Sequence, residues 1–510
     1  MKLYDFNREY VMTLTGLLER NAKEIPEKTA IVFHSEKISY RDLNISVNKV
    51  ANALLDLGIK KADRVGFMLP RIPELLTVFF AAAKIGSIAV PVNFELLPEK
   101  IRAALNNFTP SVLFVHPQFL DAAKKSISIV EQIPMIVVGE GGTGPLRWDD
   151  IIRNGNAEAP GLEIKESDVV YLNYTSGATG NAKGAVTTHA NIYWNTLSSV
   201  EALGLTGEDV HLCMFAPFAH PHEIFARPLY LGGTMVILDK IYPKSIAEAI
   251  STHKVSCMMG LAPMYENLLE ALEHKNYDLS SLRVPESGGM YTRIELIDRF
   301  RERVGVPIVP VWGSTETTGV AIANRPDEPI LPGSIGKPCS FYEVRIVDEN
   351  GGEVLPGEVG EMIFKGPAVV EGYYEKGKES EMSFKDGWYY SGDLGKKDEQ
   401  GNFYFVERIS GMMKVAGLKV YPLEVELVLM AHPDIKEAVV VSAKDRLRGE
   451  IPRAIIVVND GKSLSEKEIL RFCKEYLAHY KHPRIIEIRD SIPKIGSGKI
   501  NKKELLMEHT

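Results

Sequence analysis

The segment Tyr174 to Asn191, YTSGATGNAKGAVTTHAN, crowds hydroxyls and glycines around one lysine, with no acid among them. Thr175, Ser176, Gly177, Thr179, Gly180 and Lys183 fall within ten residues, directly after an apolar run. Residues of these types suit an anion. Glycine lets backbone N–H groups turn toward a phosphate without steric cost. Hydroxyls add donors, and lysine adds a mobile positive charge. The phosphate-loop spacing G-x-x-x-x-G-K-[ST] does not fit, because the second glycine position counted from Gly177 falls on Ala182 and Lys183 is followed by Gly184. The segment therefore reads as a nucleotide loop of another kind or as a polar turn.

Three further places carry chemistry-bearing residues. PFAHPHE holds His220, His222 and Glu223, a pattern open to a metal, although no cysteine or third clear ligand accompanies it. VWGSTETTG sets Glu316 among hydroxyls, a setting that suits magnesium, which takes few carboxylates beside phosphate oxygens. A lone glutamate is otherwise a surface residue, and Trp312 beside it is otherwise a core residue. GSGKIN places Lys499 between flexible glycines in a basic tail, either a ligand-approaching loop or a solvated end.

The elements that must position these groups can be read from periodicity. YRDLNISVNKVANALLDLGI has helical spacing, DRVGFMLP reads as a buried strand, IPELLTVFFAAAKIG is helical and SIAVPVN is a strand. The rhythm recurs at GTMVIL, SIAEAISTHKV, SCMMG and APMYENLLEALEH. Such βαβ alternation predicts an α/β fold with a mainly parallel sheet covered by helices. From about residue 330 the text changes to short alternating strands with Gly-Gly and Pro-Gly turns, an antiparallel pattern. Beyond Arg408 lie about 100 residues with the content of a small α+β domain. The expected division is a large domain over 1–408, with an antiparallel β subdomain at about 330–407, and a small mobile domain over 409–510.

The chain has 510 residues and a formal charge of −8. That balance argues against a nucleic-acid binder, which would carry a basic face. Four separated cysteines argue against a disulfide framework and point to a reducing, cytoplasmic setting. The most apolar stretch, Leu75 to Val90, is interrupted by Lys84 and is too short for a membrane span. Oligomeric state is left open.

YTSGATGNAKGA, PFAHPHE, SGGMYT, VWGSTETTG, GWYYSGDLG, ERISGMMKVAGLKVYPLEVE and PKIGSGKINKKEL follow one another in an order that resembles the adenylate-forming superfamily of acyl- and aryl-CoA synthetases, adenylation domains and luciferases, over residues 15 to 506. The resemblance implies an AMP-forming ligase that joins a carboxylic acid to the α-phosphate of ATP with Mg2+, then passes the acyl group to coenzyme A. Under it, Lys499 bridges carboxylate and α-phosphate, Thr315 bonds that phosphate, Glu316 holds magnesium and Trp312 stacks on adenine. Gly288 and Gly289 approach the purine. Asp393 and Arg408 hold the ribose. Thr175, Ser176, Gly177, Thr179, Gly180 and Lys183 grip the outer phosphates, despite Ala178 and Ala182 where the family carries threonine and proline. His220 gates the acyl channel and His222 points toward the acyl group. Val311, Gly289, Gly313, Gly319 and Val320 line the acid pocket, with Gly313 leaving it open. That disfavours acetate and suits a compact ring or a short to medium acid. Gly417 lines the pantetheine tunnel. Ser410 and Gly411 stand at the hinge, where the family usually has lysine or aspartate followed by an acid. Loading of a separate carrier protein, a luciferase-like oxidation, a non-catalytic nucleotide-binding regulator and reverse flux all remain alternatives.

Overall fold

The segment Tyr40 to Gly66 already shows how sequence becomes structure. Ser39 caps the helix Tyr40–Asp56 by accepting from the Asp42 N–H, and Leu43, Val47, Val50, Ala51 and Leu54 form its buried stripe. The strand Arg64–Met68, the helix Pro73–Lys84 and the strand Ile88–Pro91 follow at the predicted places. Every residue of the second helix except Glu74 is buried. Its Lys84 ammonium is satisfied by Asn44, Asn48 and Glu19, which is what burying a cation requires.

The computed structural model describes residues 12–126, 133–139, 147–175, 183–375, 377–494 and 500–508. Its chain forms two units: Met1–Glu343 with Phe364–Tyr389, and Val344–Ile363 with Tyr390–Thr510. The boundary expected at 408–409 thus falls inside the second unit. At that point the Glu407 carboxylate accepts from the N–H groups of Arg408 and Leu423.

The first unit contains two sheets. One orders its six strands Met135–Val137, Val112–Val115, Arg64–Met68, Ile88–Pro91, Val169–Thr175 and Lys183–Thr188, parallel except for the last. The other runs from Gly319–Ala323 through Val309–Ser314, Val284–Ser287, Cys257–Gly260, Val210–Cys213, Thr234–Ile237 and Thr29–Phe33 to Glu36–Ser39. Its interior strands are parallel; Glu36–Ser39 is antiparallel at one end, and at the other Gly319–Ala323 is antiparallel to Val309–Ser314 and to the next strand, Ser334–Pro338. Helices pack on it, as at Ala262–His274, whose Tyr265, Leu268 and Leu272 enter the core.

In the second unit, Gly449–Val458 pairs antiparallel with Ile435–Asp445 and parallel with Ile485–Ile488. The helices Pro422–Met430 and Glu466–Tyr476 pack Val425, Leu429, Ile469 and Cys473 against that sheet. The fold is α/β, with a large sheet-and-helix N-terminal part and a smaller C-terminal α+β part.

Candidate active site

Val284–Ser287 and Val309–Ser314 are parallel neighbours, so the segments after them leave the sheet together at its carboxyl edge. That edge is where open α/β sheets bind ligands. Ser287–Gly289 follows the first strand. Gly289 has φ +75°, which favours glycine, and a Cβ on Gly288 would lie 3.2 Å from Val311 Cγ2.

The second strand turns through Thr315–Thr318 into Gly319–Ala323. This hairpin carries Trp312, Gly313, Thr315, Glu316, Gly319 and Val320. Thr317 ties the turn to itself: its Oγ1 accepts from the Ser314 N–H at 2.9 Å and donates to the Gly319 carbonyl at 2.8 Å. Thr318 takes φ +56° and donates its hydroxyl to the Ala368 carbonyl. Gly313 opposes Val320, and a Cβ there would lie 2.3 Å from the Gly319 carbonyl oxygen. The hairpin itself therefore demands glycine at 313, whatever the residue does for a pocket. Val311 and Val320 are buried.

Glu316 is buried, and its Oε1 accepts a 2.7 Å hydrogen bond from the Tyr373 hydroxyl. Its backbone carbonyl accepts from the Val370 N–H. Among the described residues no group of three or more His, Cys, Asp or Glu is placed to hold a metal. A single carboxylate beside Thr315 fits Mg2+ that takes its remaining ligands from phosphates and water.

Trp312 lies flat on Phe364, with centroids 4.3 Å apart and 4° between the planes. Phe364 and Tyr373 were not legible as site residues in the sequence. The one signal for them was the alternation of GEMIFKG and the aromatic pair in EGYYEKG.

His222 departs from expectation. It is fully buried. Nδ1 lies 2.6 Å from the Tyr171 hydroxyl, and Nε2 lies 2.7 Å from the Thr318 carbonyl. A carbonyl can only accept, so Nε2 carries the proton and Nδ1 accepts from the tyrosine. Burial pushes the ring's pKa down to about 4, keeping it neutral. Both nitrogens are used inside the protein, so His222 tethers the Thr315–Thr318 turn. It leaves no nitrogen for a metal. Glu223 belongs to an ion cluster: Arg227, one helical turn on, bonds Glu286 Oε1 at 2.7 Å and lies 3.8 Å from Glu223. Burial pushes Glu286 up to about 7. His220 precedes the helix His222–Leu231 with its ring 6.2 Å from Phe215.

Lys183 opens the strand Lys183–Thr188, opposite Thr175. Ser176, Gly177, Thr179, Gly180 and Lys499 lie outside the described residues.

In the second unit, Asp393 and Arg408 are direct cross-strand partners, with Arg408 Nε 3.2 Å from Asp393 Oδ1. Asp393 is buried, while the Arg408 side chain is largely exposed. Gly417, with Ala416, forms the two-residue turn between Met413–Val415 and Leu418–Val420. Both have positive φ, +49° and +83°, as a type I′ turn requires. A Cβ on Gly417 would meet nothing within 4 Å. Ser410 and Gly411 lie in a tight turn whose Gly411 N–H donates to the Arg408 carbonyl.

Comparison with known proteins adds a family match. A model described as AMP-binding enzyme matches residues 18–374, and one described as AMP-binding enzyme C-terminal domain matches residues 424–499. A feruloyl-CoA synthase of Amycolatopsis sp is 31% identical over 95% of this chain and 97% of its own length. A long-chain-fatty-acid–CoA ligase of Bacillus subtilis (strain 168) is 32% identical over 98% of this chain and 95% of its own. The crystal structure of the anthranilate CoA ligase AuaEII in complex with anthranoyl-AMP superposes with a TM-score of 0.90 at 30% identity, covering 100% of this chain and 99% of the other.

Proposed function

The chain belongs to the AMP-binding enzyme family as an AMP-forming acid–thiol ligase using ATP, Mg2+ and CoA, and from that premise we propose which residues do the work and which acid is taken. The observation that carries the reading is the buried Glu316, held by Tyr373 in a self-bonded turn at the carboxyl edge of the sheet. A carboxylate and a triphosphate repel, so their union needs fixed donors and positive charge where the new bond forms. Thr315 would bond the α-phosphate and Glu316 would hold Mg2+, which neutralises phosphate charge when bound. Trp312, Gly288 and Gly289 would receive the adenine. Thr175, Ser176, Gly177, Thr179, Gly180 and Lys183 would grip the outer phosphates. Asp393 and Arg408, already paired across two strands, would hold the ribose.

Lys499 would supply the charge between carboxylate and α-phosphate. For thiolysis, a turn about Ser410 and Gly411 would withdraw Lys499 and bring Gly417 to the pantetheine arm. His220 would stand at the acyl channel, with Gly289, Val311, Gly313, Gly319 and Val320 around it. The acid is a compact ring or a short to medium acid. An aryl ligase stands among the structural relatives at 30% identity, and a long-chain ligase stands at 32% among the sequence relatives, so relatedness alone does not select. All four cysteines are buried and unpaired, which supports a cytoplasmic setting.

The test is pyrophosphate release with ATP, Mg2+ and CoA over acetate, butyrate, hexanoate, palmitate, benzoate, cyclohexanecarboxylate and a hydroxycinnamate. The highest kcat/KM is expected on a ring acid or a short to medium acid. Highest efficiency on palmitate would overturn the compact pocket. Acyl transfer only to a carrier's phosphopantetheine, and not to free CoA, would replace the acceptor.

A further inference from the structure

We propose that Tyr373 is a positioning residue that links the metal-side carboxylate Glu316 to the phosphate-side lysine Lys183. The inference rests on the ligase reading above for the identity of ATP and Mg2+.

Three independent contacts converge on this side chain. Its hydroxyl donates to Glu316 Oε1 at 2.7 Å. Its ring lies under the Lys183 ammonium, with Nζ 4.9 Å from the ring centroid, within cation–π range. Its backbone is clamped in register beside Lys183: Tyr373 bridges Ala185, the Tyr374 N–H donates to the Gly184 carbonyl at 2.8 Å, and the Val186 N–H donates to the Gly372 carbonyl at 3.1 Å. The same short segment reaches the Glu316 turn through the Val370 N–H and the Ala368 carbonyl. The residues 368–374 are therefore stitched to the strand after the phosphate segment on one side and to the Thr315–Thr318 turn on the other. The tyrosine side chain crosses between them.

Tyr373 is buried and further fixed by Ser380, whose hydroxyl accepts its N–H at 2.9 Å. A donor on Oε1 restrains the carboxylate with which Glu316 would hold a metal. The ring face fixes the lysine stem. One side chain thus sets two charged groups of opposite sign, which a metal–triphosphate complex must meet together. Pre-organising both removes ordering that binding would otherwise require.

The two functions can be separated, because phenylalanine keeps the ring and loses the hydroxyl. The experiment measures Mn2+ binding in the presence of ATP by electron paramagnetic resonance of free Mn2+, and ATP binding without metal by calorimetry. It uses full-length wild type, Tyr373→Phe, Tyr373→Leu and Glu316→Gln, with the unliganded melting temperature of each. No acid substrate is needed. Tyr373→Phe is expected to raise half-saturation by Mn2+ about 5- to 10-fold and to leave metal-free ATP affinity within 2-fold. Tyr373→Leu is expected to do the same to Mn2+ and also to weaken metal-free ATP binding about 3- to 5-fold. Unchanged Mn2+ half-saturation in Tyr373→Phe, with binding intact in wild type, overturns this inference alone. Equal losses in both affinities for both variants, tracking a lowered melting temperature, overturn it in favour of a purely structural role. A wild type that binds no Mn2+–ATP overturns the ligase reading and this inference with it.

Discussion

The two units differ in what they bury: the first keeps three histidines neutral and holds the cations Lys84 and Arg227 on partners inside its core, while the second holds a guanidinium against partly exposed acids. In the first, deeply buried titratable groups are kept neutral or bonded within the fold: His189, His211 and His222 are pushed down to about 4, 3 and 4 by burial. In the second, a guanidinium is buried and stays charged. Arg453 is 1% exposed, and its planar fork bonds Glu487 at 2.5 and 3.0 Å, Glu508 at 3.0 Å and the Leu505 carbonyl at 2.7 Å. Arg489 bonds the same two glutamates. The difference separates a fixed scaffold from a tail. Neutral side chains such as His222 can lock a turn inside a core at little desolvation cost. In the second unit a multidentate cation with partly exposed acids holds the helix Lys502–Met507, whose Leu505 packs into a small apolar cluster with Val439, Ile455 and Ile492.

The largest effect expected is on the second unit's chemistry. Lys499→Ala should lower adenylation by about 100- to 1000-fold through loss of charge at the reacting oxygens. Thiolysis of supplied acyl-adenylate should fall less than tenfold. Stopped-flow measurement of each half-reaction decides, and equal losses would break the idea that the two units divide the two steps. Next, Arg453→Met should destabilise the second unit by roughly 3 kcal/mol, because the Leu505 carbonyl loses its donor and Glu487 keeps only Arg489. Hydrogen exchange should rise across residues 449–458 and 500–508 and stay unchanged in the first unit. Exchange spread evenly over both would show that the second unit does not stand by itself.

Acid should act on the units in different windows. A histidine whose folded pKa lies below the unfolded value of 6.5 binds fewer protons when folded. Its stability contribution is complete above pH 6.5 and is lost as pH falls toward 4, at roughly 2 kcal/mol per histidine by pH 5. Glu487, pulled down to about 2 chiefly by Arg453, contributes above its unfolded value of 4.5 and loses that only between 4.5 and 2. All four tryptophans, Trp148, Trp194, Trp312 and Trp388, lie in the first unit. Tryptophan fluorescence should therefore move between pH 6.5 and 4, before exchange protection is lost at Arg453. The reverse order would break the comparison. The smallest effect is at the turn: Gly417→Val should cost about 1 kcal/mol, since a branched residue resists φ +83°. It should slow thiolysis about tenfold with adenylation within twofold, and thiolysis at the wild-type rate would remove Gly417 from the thiol path.

Much of this was written in the chain itself. Helix and strand positions such as Tyr40–Asp56 and Arg64–Met68 follow from periodicity, because a buried face repeats every 3.6 or 2 residues whatever it packs against. The ordered motifs were enough to reveal the family, since glycines, hydroxyls and a lysine at fixed spacing carry their chemistry locally. Tertiary structure decided what sequence distance conceals. His222 stands in a motif, yet its direction was set by Tyr171 and Thr318, 51 and 96 residues away. Gly313 reads as an open channel from sequence and as a close backbone crossing in the hairpin. Glu407 takes a partner, Leu423, 16 residues on. Tyr373 carries no motif of its own, and its place between Lys183 and Glu316 exists only once three distant segments meet. A side chain's type is fixed by its codon, but its partner depends on which strands lie beside it, and that is settled only when the whole unit folds.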